Sequence, residues 1–225
     1  TREREYYACG CLTAANGGIH PQDAGALRSW FDGKNTVLLA GPGLGESAAP
    51  VCNALLGKKA PWSAAVLDAD ALNALAAGKI KSPLPDQTVI TPHPGEAARL
   101  LDCTVGEVQA DREAAARRLA GMCHCIAVLK GRGTLIATPG GEVYRNPTGS
   151  AGLAKGGSGD ILAGLLSGLL AAGLKQGRTA EDAAIAAVWL HGAAGDRCAK
   201  RLGMAAMLPH DIFADLGAIF AELER

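Results

Sequence analysis

In the stretch AGLAKGGSGDILAGLLSGLLAAG, from Ala151 to Gly173, the residues Gly156, Gly157, Ser158, Gly159 and Asp160 stand directly before an apolar segment of helical length. Glycines ahead of a helix let the backbone approach a ligand, and free N–H groups with the helix dipole favour an anion, so phosphate chemistry is the first candidate. The pattern is not a Walker A loop, because no Gly-Lys-Ser/Thr stands at the required spacing. It is not a dinucleotide fingerprint either, because position 162 is Leu. Asp160, which looks buried among its apolar neighbours, has two readings: a helix cap, or a carboxylate base taking the proton of a hydroxyl that is being phosphorylated. Gly164 and Gly168 lie inside the helix, where each costs about 0.5–1 kcal/mol relative to Ala, which predicts close approach of another group.

Other clusters carry similar alternatives. In TPHPGEAARLL (91–101) two prolines hold His93 in an extended turn, and Glu96 and Arg99 follow three apart, which places all three toward one crevice. Taken singly, they read as a loop histidine and a surface ion pair. GPGLGES (41–47) admits a phosphate or a flat ring, or is a tight strand-to-helix turn. LDADALN (67–73) offers Asp68 and Asp70 as sugar- or metal-binding carboxylates, or as helix caps. LKGRGT (129–134) offers Lys130 and a glycine turn to a nucleotide phosphate, or a solvated lysine. Cys9-Gly-Cys11 and Cys123-His124-Cys125 lack the Cys-x-x-Cys spacing of a zinc site, and His191 in LHGAAGD reads as a packing residue.

The elements that must position these clusters follow from periodicity. TVLLA (36–40), AAVLD (64–68), TVIT (88–91) and CIAVLK (125–130) read as strands. Helical patterns separate them, including one over VGEVQADREAAARRLAGM, and such alternation implies a mostly parallel sheet with helices on both faces. GTLIATPGGEVYR reads as a hairpin at an antiparallel edge, followed by helices over 159–173, 179–197 with Thr179 as N-cap, and about 209–223. In open α/β sheets ligands bind beyond the carboxyl ends of the strands, and the clusters after 40, 67, 90 and 129 all fall there.

Composition narrows the partners. The 225 residues suit one domain with a real core, and 22 basic and 22 acidic side chains, mixed along the chain, leave no electrostatic footprint for nucleic acid or anionic lipid. Aromatic content of 4% leaves little to stack bases. No signal peptide or membrane-length apolar run is visible, and seven cysteines, an odd count, argue against a disulfide framework and for the reducing cytoplasm. A small-molecule partner is expected.

GPGLG, VLDADALN, TPHPGEAARLL, VLKGRGT, NPTGSAGLAKGGSGDILAGLLSGLL and LHGAAGD run in order from about residue 36 to about 216. Together they resemble the ADP-dependent NAD(P)H-hydrate dehydratases of the ribokinase-like superfamily. The resemblance implies a three-layer α/β sandwich and a repair reaction. Hydrated NADH or NADPH (the S epimer) is phosphorylated on its hydroxyl by ADP, and loss of phosphate restores the coenzyme. It also implies Asp160 as the base, Gly156, Gly157, Ser158 and Gly159 as the anion hole, and Lys130, Gly131, Arg132, Gly133 and Thr134 with Gly159 as nucleotide contacts. Gly43, His93, Glu96 and Arg99, with Asp160, become contacts to the hydrated coenzyme. Magnesium, carried mainly by phosphates and water with no protein cage, a homo-oligomer (a homotetramer) and a cytoplasmic setting come with the likeness. The sequence departs from the family in two places. The strand, Ala-Gly-Ser turn and small-residue helix that usually come first have no counterpart ahead of Gly41, so a single domain lacking that piece is expected, and Lys155 stands where Thr is usual. The alternatives are a ribokinase-like small-molecule kinase using Asp160 in the same way, against which TPHPGE argues, or a non-catalytic adenine-nucleotide-binding protein.

Overall fold

The computed structural model describes residues 36–225 apart from 57–59 and 82, together with 19, 20 and 23. The Cys9-Gly-Cys11 pair, and all but residues 19, 20, 23 and 36–40 of the stretch compared with the family's first strand and helix, lie outside the described residues. Four short apolar runs form parallel strands in chain order: β1 (Val37–Ala40), β2 (Ala64–Leu67), β3 (Gln87–Ile90) and β4 (Ile126–Leu129). The hairpin adds β5 (Leu135–Ala137) and β6 (Val143–Arg145), both antiparallel, to give a six-stranded sheet in the order β1 to β6. Pro139-Gly140-Gly141 turns it, with Thr138 N–H donating to the Glu142 carbonyl and Gly141 N–H to that of Thr138.

Because parallel strands laid down in sequence need crossovers of one hand, the connecting helices gather on one face. These are α1 (Ala48–Leu55), α2 (Ala69–Ala76), α3 (Pro94–Leu101), α4 (Val105–Ala110) and α5 (Arg112–Cys123). They bury Ala65, Leu67, Ile90, Ala127, Leu129 and Leu135 of the sheet. The alternate strand residues Val66, Val89, Ile126, Val128 and Ile136 point the other way, onto α6 (Ser158–Leu174) and α7 (Ala180–Leu202). Strands covered on both faces carry unbroken apolar runs, which is why no polar alternation marks β2 or β4. A third cluster joins α7 to α8 (Ile212–Leu223) through Leu190, Ala194, Cys198, Ile212, Leu216 and Ile219. Among the described residues no helix is long and apolar enough to cross a membrane.

Three expectations are corrected. The helix predicted over VGEVQADREAAARRLAGM is broken at Asp111, whose backbone leaves helical space (φ −141°) while its carboxylate accepts from Ala114 N–H at 2.9 Å to cap α5. The helix predicted to end at 197 runs to Leu202 and stops at Gly203, where φ is +81°. Gly164 and Gly168 meet nothing: both are exposed on α6, and a methyl group at either would have no atom within 4 Å. Gly164→Ala is therefore expected to raise stability by about 0.5–1 kcal/mol. Leu166→Ala, two residues on and fully buried, should lower it by about 2–5 kcal/mol. Urea unfolding of both variants reads the opposite signs, and destabilisation by Gly164→Ala would restore the close-approach explanation.

Candidate active site

The carboxyl ends of β1 to β4 open on one side of the sheet, and pairing continues past them: Asp68 N–H donates to the Ala40 carbonyl, Thr91 N–H to that of Leu67, and Lys130 N–H to that of Pro92. Asp68 holds the N-cap position of α2 without capping it. Its carboxylate, 2% exposed, instead accepts from Lys130 Nζ at 2.7 Å. Glu96, 5% exposed, brings a second carboxylate to 3.8 Å from the same ammonium.

Glu96 is also spent on a reciprocal cap. Its Oε2 accepts from His93 N–H at 2.7 Å, and His93 Nδ1 accepts from the N–H groups of Gly95 (3.0 Å) and Glu96 (3.4 Å), which starts α3 at Pro94. The ring proton of the neutral imidazole then stands on Nε2, facing Glu96 Oε1 at 3.3 Å. Arg99, one turn further along α3, is carried away from this end and donates to Asn73 Oδ1 at 2.9 Å on α2.

The LKGRGT turn is closed from below. Arg112 of α5 donates through Nη2 to the carbonyls of Leu129 (3.2 Å) and Lys130 (3.3 Å), and Thr134 Oγ1 donates to that of Gly131 at 2.9 Å. Burial pushes the Arg112 guanidinium below its ordinary value. Gly131 has φ +138°, with the Arg112 guanidinium about 3 Å from where a Cβ would lie, so a side chain there is both strained and crowded.

Over this floor lies the glycine turn. Gly157 is the N-cap of α6 with φ +96°, and no side chain caps the helix. Ser158 N–H donates to the Lys155 carbonyl at 3.2 Å, while the N–H groups of Gly159 and Asp160 have no intrahelical acceptor, which leaves them for an anion. Asp160 is not a cap, and it is exposed in the first turn rather than buried. A Cβ on Gly159 would sit 3.5 Å from Lys130 Nζ and 3.9 Å from Asp68 Oδ2, so the turn rests directly on the ion pair. Lys155 anchors the turn's other side, donating to the carbonyls of Ala205 (2.9 Å) and Met207 (2.5 Å).

Together these walls enclose a cavity of about 830 Å³. Lys130 to Thr134, Gly156 to Gly159, Asp160 and His93 all line it, so the predicted nucleotide and base residues converge with two of the predicted coenzyme residues, His93 and Asp160 itself. Glu96 lies beneath, bound to Lys130, while Gly43 and Arg99 do not line the cavity. Contributors that the resemblance did not imply include Asp68, which the sequence offered as a ligand carboxylate or a helix cap, the loop residues Asn146, Thr148, Gly149 and Ser150, and His191. Buried Asn146 donates to the carbonyls of Thr148 and Val188. Among the described residues no group of three or more His, Cys, Asp or Glu side chains could hold a metal ion.

The family model described as NAD(P)H-hydrate dehydratase matches residues 21–217. The chain belongs to the NAD(P)H-hydrate dehydratase family. It is 44% identical over 193 residues to the bifunctional NAD(P)H-hydrate repair enzyme of Moorella thermoacetica, covering 84% of this chain and 35% of that enzyme. It is 49% identical over 146 residues to the ADP-dependent (S)-NAD(P)H-hydrate dehydratase of Neisseria meningitidis, covering 64% of this chain and 48% of the other. It therefore spans less than half the length of these two relatives. The ADP/ATP-dependent NAD(P)H-hydrate dehydratase of Bacillus subtilis, co-crystallised with ATP and Mg2+ and soaked with CoA, superposes with a TM-score of 0.72 at 28% identity, covering 90% of this chain and 71% of that one. The architecture is the ribokinase-like sandwich that the motifs implied.

Breaking this partly buried pair has a defined cost. Asp68→Asn leaves Lys130 facing only the more distant Glu96 carboxylate, and a loss of about 3 kcal/mol is expected in urea unfolding. A loss below about 0.5 kcal/mol would mean that solvent reaches Lys130 and that the pair does not support the turn.

Proposed function

We propose that this chain catalyses the ADP-dependent dehydration of hydrated NADH and NADPH, giving the intact coenzyme, AMP and inorganic phosphate. The observation that carries this reading is the place of Asp160: exposed in the first turn of α6, on the wall of the cavity that Gly156–Gly159 and Lys130–Thr134 also line. The substrate hydroxyl gives its proton to the Asp160 carboxylate as its oxygen attacks the terminal phosphorus of ADP, and the bond to the AMP oxygen breaks. The glycine N–H groups take the charge that gathers on the transferred phosphoryl oxygens. Loss of inorganic phosphate and a ring proton then restores the double bond. His93 faces the coenzyme, while Glu96 acts from below by fixing His93 and Lys130.

Magnesium fits as a companion of the nucleotide, since the cavity's buried carboxylates are occupied by Lys130. When bound, it neutralises phosphate charge. Self-association fits the outer face of α8, where Phe213, Phe220 and Leu223 are exposed. A reducing, cytoplasmic setting fits the free cysteines Cys52, Cys103, Cys123, Cys125 and Cys198.

Asp160→Asn removes the proton acceptor and keeps the shape, so turnover of hydrated NADH with ADP is expected to fall by about 10²–10⁴-fold. AMP affinity should stay near that of the native chain. Near-native turnover in this variant would remove Asp160 from the role of base.

A further inference from the structure

Charge on the cavity wall is unevenly balanced. Two carboxylates, Asp68 and Asp160, and three cations, Lys130, Arg132 and Lys155, line it. Lys130 is paired with Asp68 at 2.7 Å, and Glu96, 3.8 Å from the same ammonium, leaves an excess of negative charge there. Asp160 adds more in the first turn of α6. The opposite wall, where the Asn146–Gly149 loop closes on α7, brings no cation. A methyl group at Gly192 would overlap Thr148 and one at Gly195 would overlap Leu153, while the Asp196 carboxylate accepts from Gly149 N–H at 2.9 Å. Burial pushes His191 down to about 4, so its ring brings no positive charge at neutral pH. A phosphate at the glycine turn thus meets carboxylates that the N–H groups of Gly159 and Asp160 must outweigh, unless a cation is free to act on it. Arg132 and Lys155 take part in none of the ion pairs among the described residues. Arg132 is exposed, where water and salt screen its charge.

Lys155 is held in place. Its main chain belongs to the glycine turn: its N–H donates to the Leu153 carbonyl at 2.8 Å, and its carbonyl accepts from Ser158 N–H at 3.2 Å. Its ammonium donates to the carbonyls of Ala205 at 2.9 Å and Met207 at 2.5 Å, two neutral groups that fix the charge without cancelling it. The segment offering these carbonyls is itself pressed against the turn. Met207 is fully buried, a Cβ on Gly152 would overlap its Sδ, and one on Gly157 would lie 3.6 Å from Pro209. A free lysine would lose rotamer entropy on meeting an anion, and this one is already ordered. We propose that Lys155 is a specificity-determining cation of the nucleotide site: pinned by the Ala205 and Met207 carbonyls, it acts through space on phosphates at the glycine turn and raises affinity with their charge. It favours the diphosphate, because ADP carries more charge than AMP and adenosine carries none. Lys155 touches no reacting atom in this role.

The role rests on the ADP-dependent reading above, and binding measurements separate their fates. Lys155→Gln keeps amide N–H groups for the two carbonyls and removes the charge, while Lys155→Arg keeps both. Equilibrium titrations of the full chain use ADP, AMP and adenosine, with magnesium omitted so that phosphate charge is not masked. At an ionic strength of about 0.01 M the Gln variant is expected to lose about 3–10-fold in ADP affinity, less in AMP affinity and nothing in adenosine affinity. Raising the ionic strength toward about 1 M should bring the ADP affinities of the Gln variant and the native chain together. The Arg variant should stay close to native throughout. An equal loss for adenosine, a loss that salt leaves unchanged, native ADP affinity in the Gln variant, or an Arg variant no better than Gln would overturn the proposal. If the Gln variant does not fold, Lys155→Thr, which carries the residue usual in the family, gives the same uncharged comparison. ADP binding without dehydratase turnover in the native chain removes the functional reading, and the titrations still decide Lys155. No ADP binding by the native chain removes both.

Discussion

Lys130 and Asp68 meet 2.7 Å apart where the ends of β4 and β2 pass under the first turn of α6. A partly buried ammonium is costly unless it is paired, and the buried Asp68 carboxylate more so, so the two strand ends and their connecting turns are held in one relative position. Glu96 ties the end of β3 to the same ammonium through its cap on His93. Three successive strands of the parallel sheet are thus joined at their carboxyl ends by charge as well as by the backbone ladder. The glycine turn rests on this platform because Gly159 has no side chain to hold it off. The pair stabilises less as an isolated interaction than as a specification of where the glycine turn sits.

Chain order explains why the site has two kinds of wall. The crossovers of one hand place α1 to α5 on a single face, and the strand ends left by them form the floor with Asp68, His93 and Lys130. The opposite face is covered only after the hairpin, by α6 and α7, which deliver the glycine turn and the clamp for the Asn146–Gly149 loop. The cavity forms where the two sets meet. The proposed phosphate chemistry at this junction would use free N–H groups at the helix N-terminus and the Asp160 carboxylate in its first turn, with no covalent intermediate on the protein required.

Much of this was legible in the sequence, for physical reasons that differ from residue to residue. The strands were readable because doubly covered strands are continuous apolar runs, and the hairpin because Pro139-Gly140-Gly141 can only turn. The convergence of Lys130 and Gly131 with His93 followed from the rule that α/β sheets bind at their carboxyl ends, while the place of Gly156–Asp160 on the same cavity was implied by the family resemblance. Properties set by tertiary contact were not readable. Asp111 stands in a helical pattern, and only its φ and its bond to Ala114 show the break. Asp68 sits at a cap position, and its real partner is 62 residues away. Arg99 shares a helix with His93 but points to Asn73. The glycines of α6 and α7 look alike in sequence: Gly164 and Gly168 face open space, while Gly192 and Gly195 carry the loop contact. His191 reads as packing until the structure places it on the cavity wall.

The central claim couples two events in one cavity, phosphoryl transfer from ADP and restoration of the coenzyme. The most direct measurement mixes the native chain with magnesium, ADP and hydrated NADH, and follows reduced-nicotinamide absorbance, AMP and inorganic phosphate in the same sample. One AMP and one phosphate per coenzyme restored is the expected result. Coenzyme restored without AMP, AMP formed without restored coenzyme, or a stable phosphorylated product would contradict it.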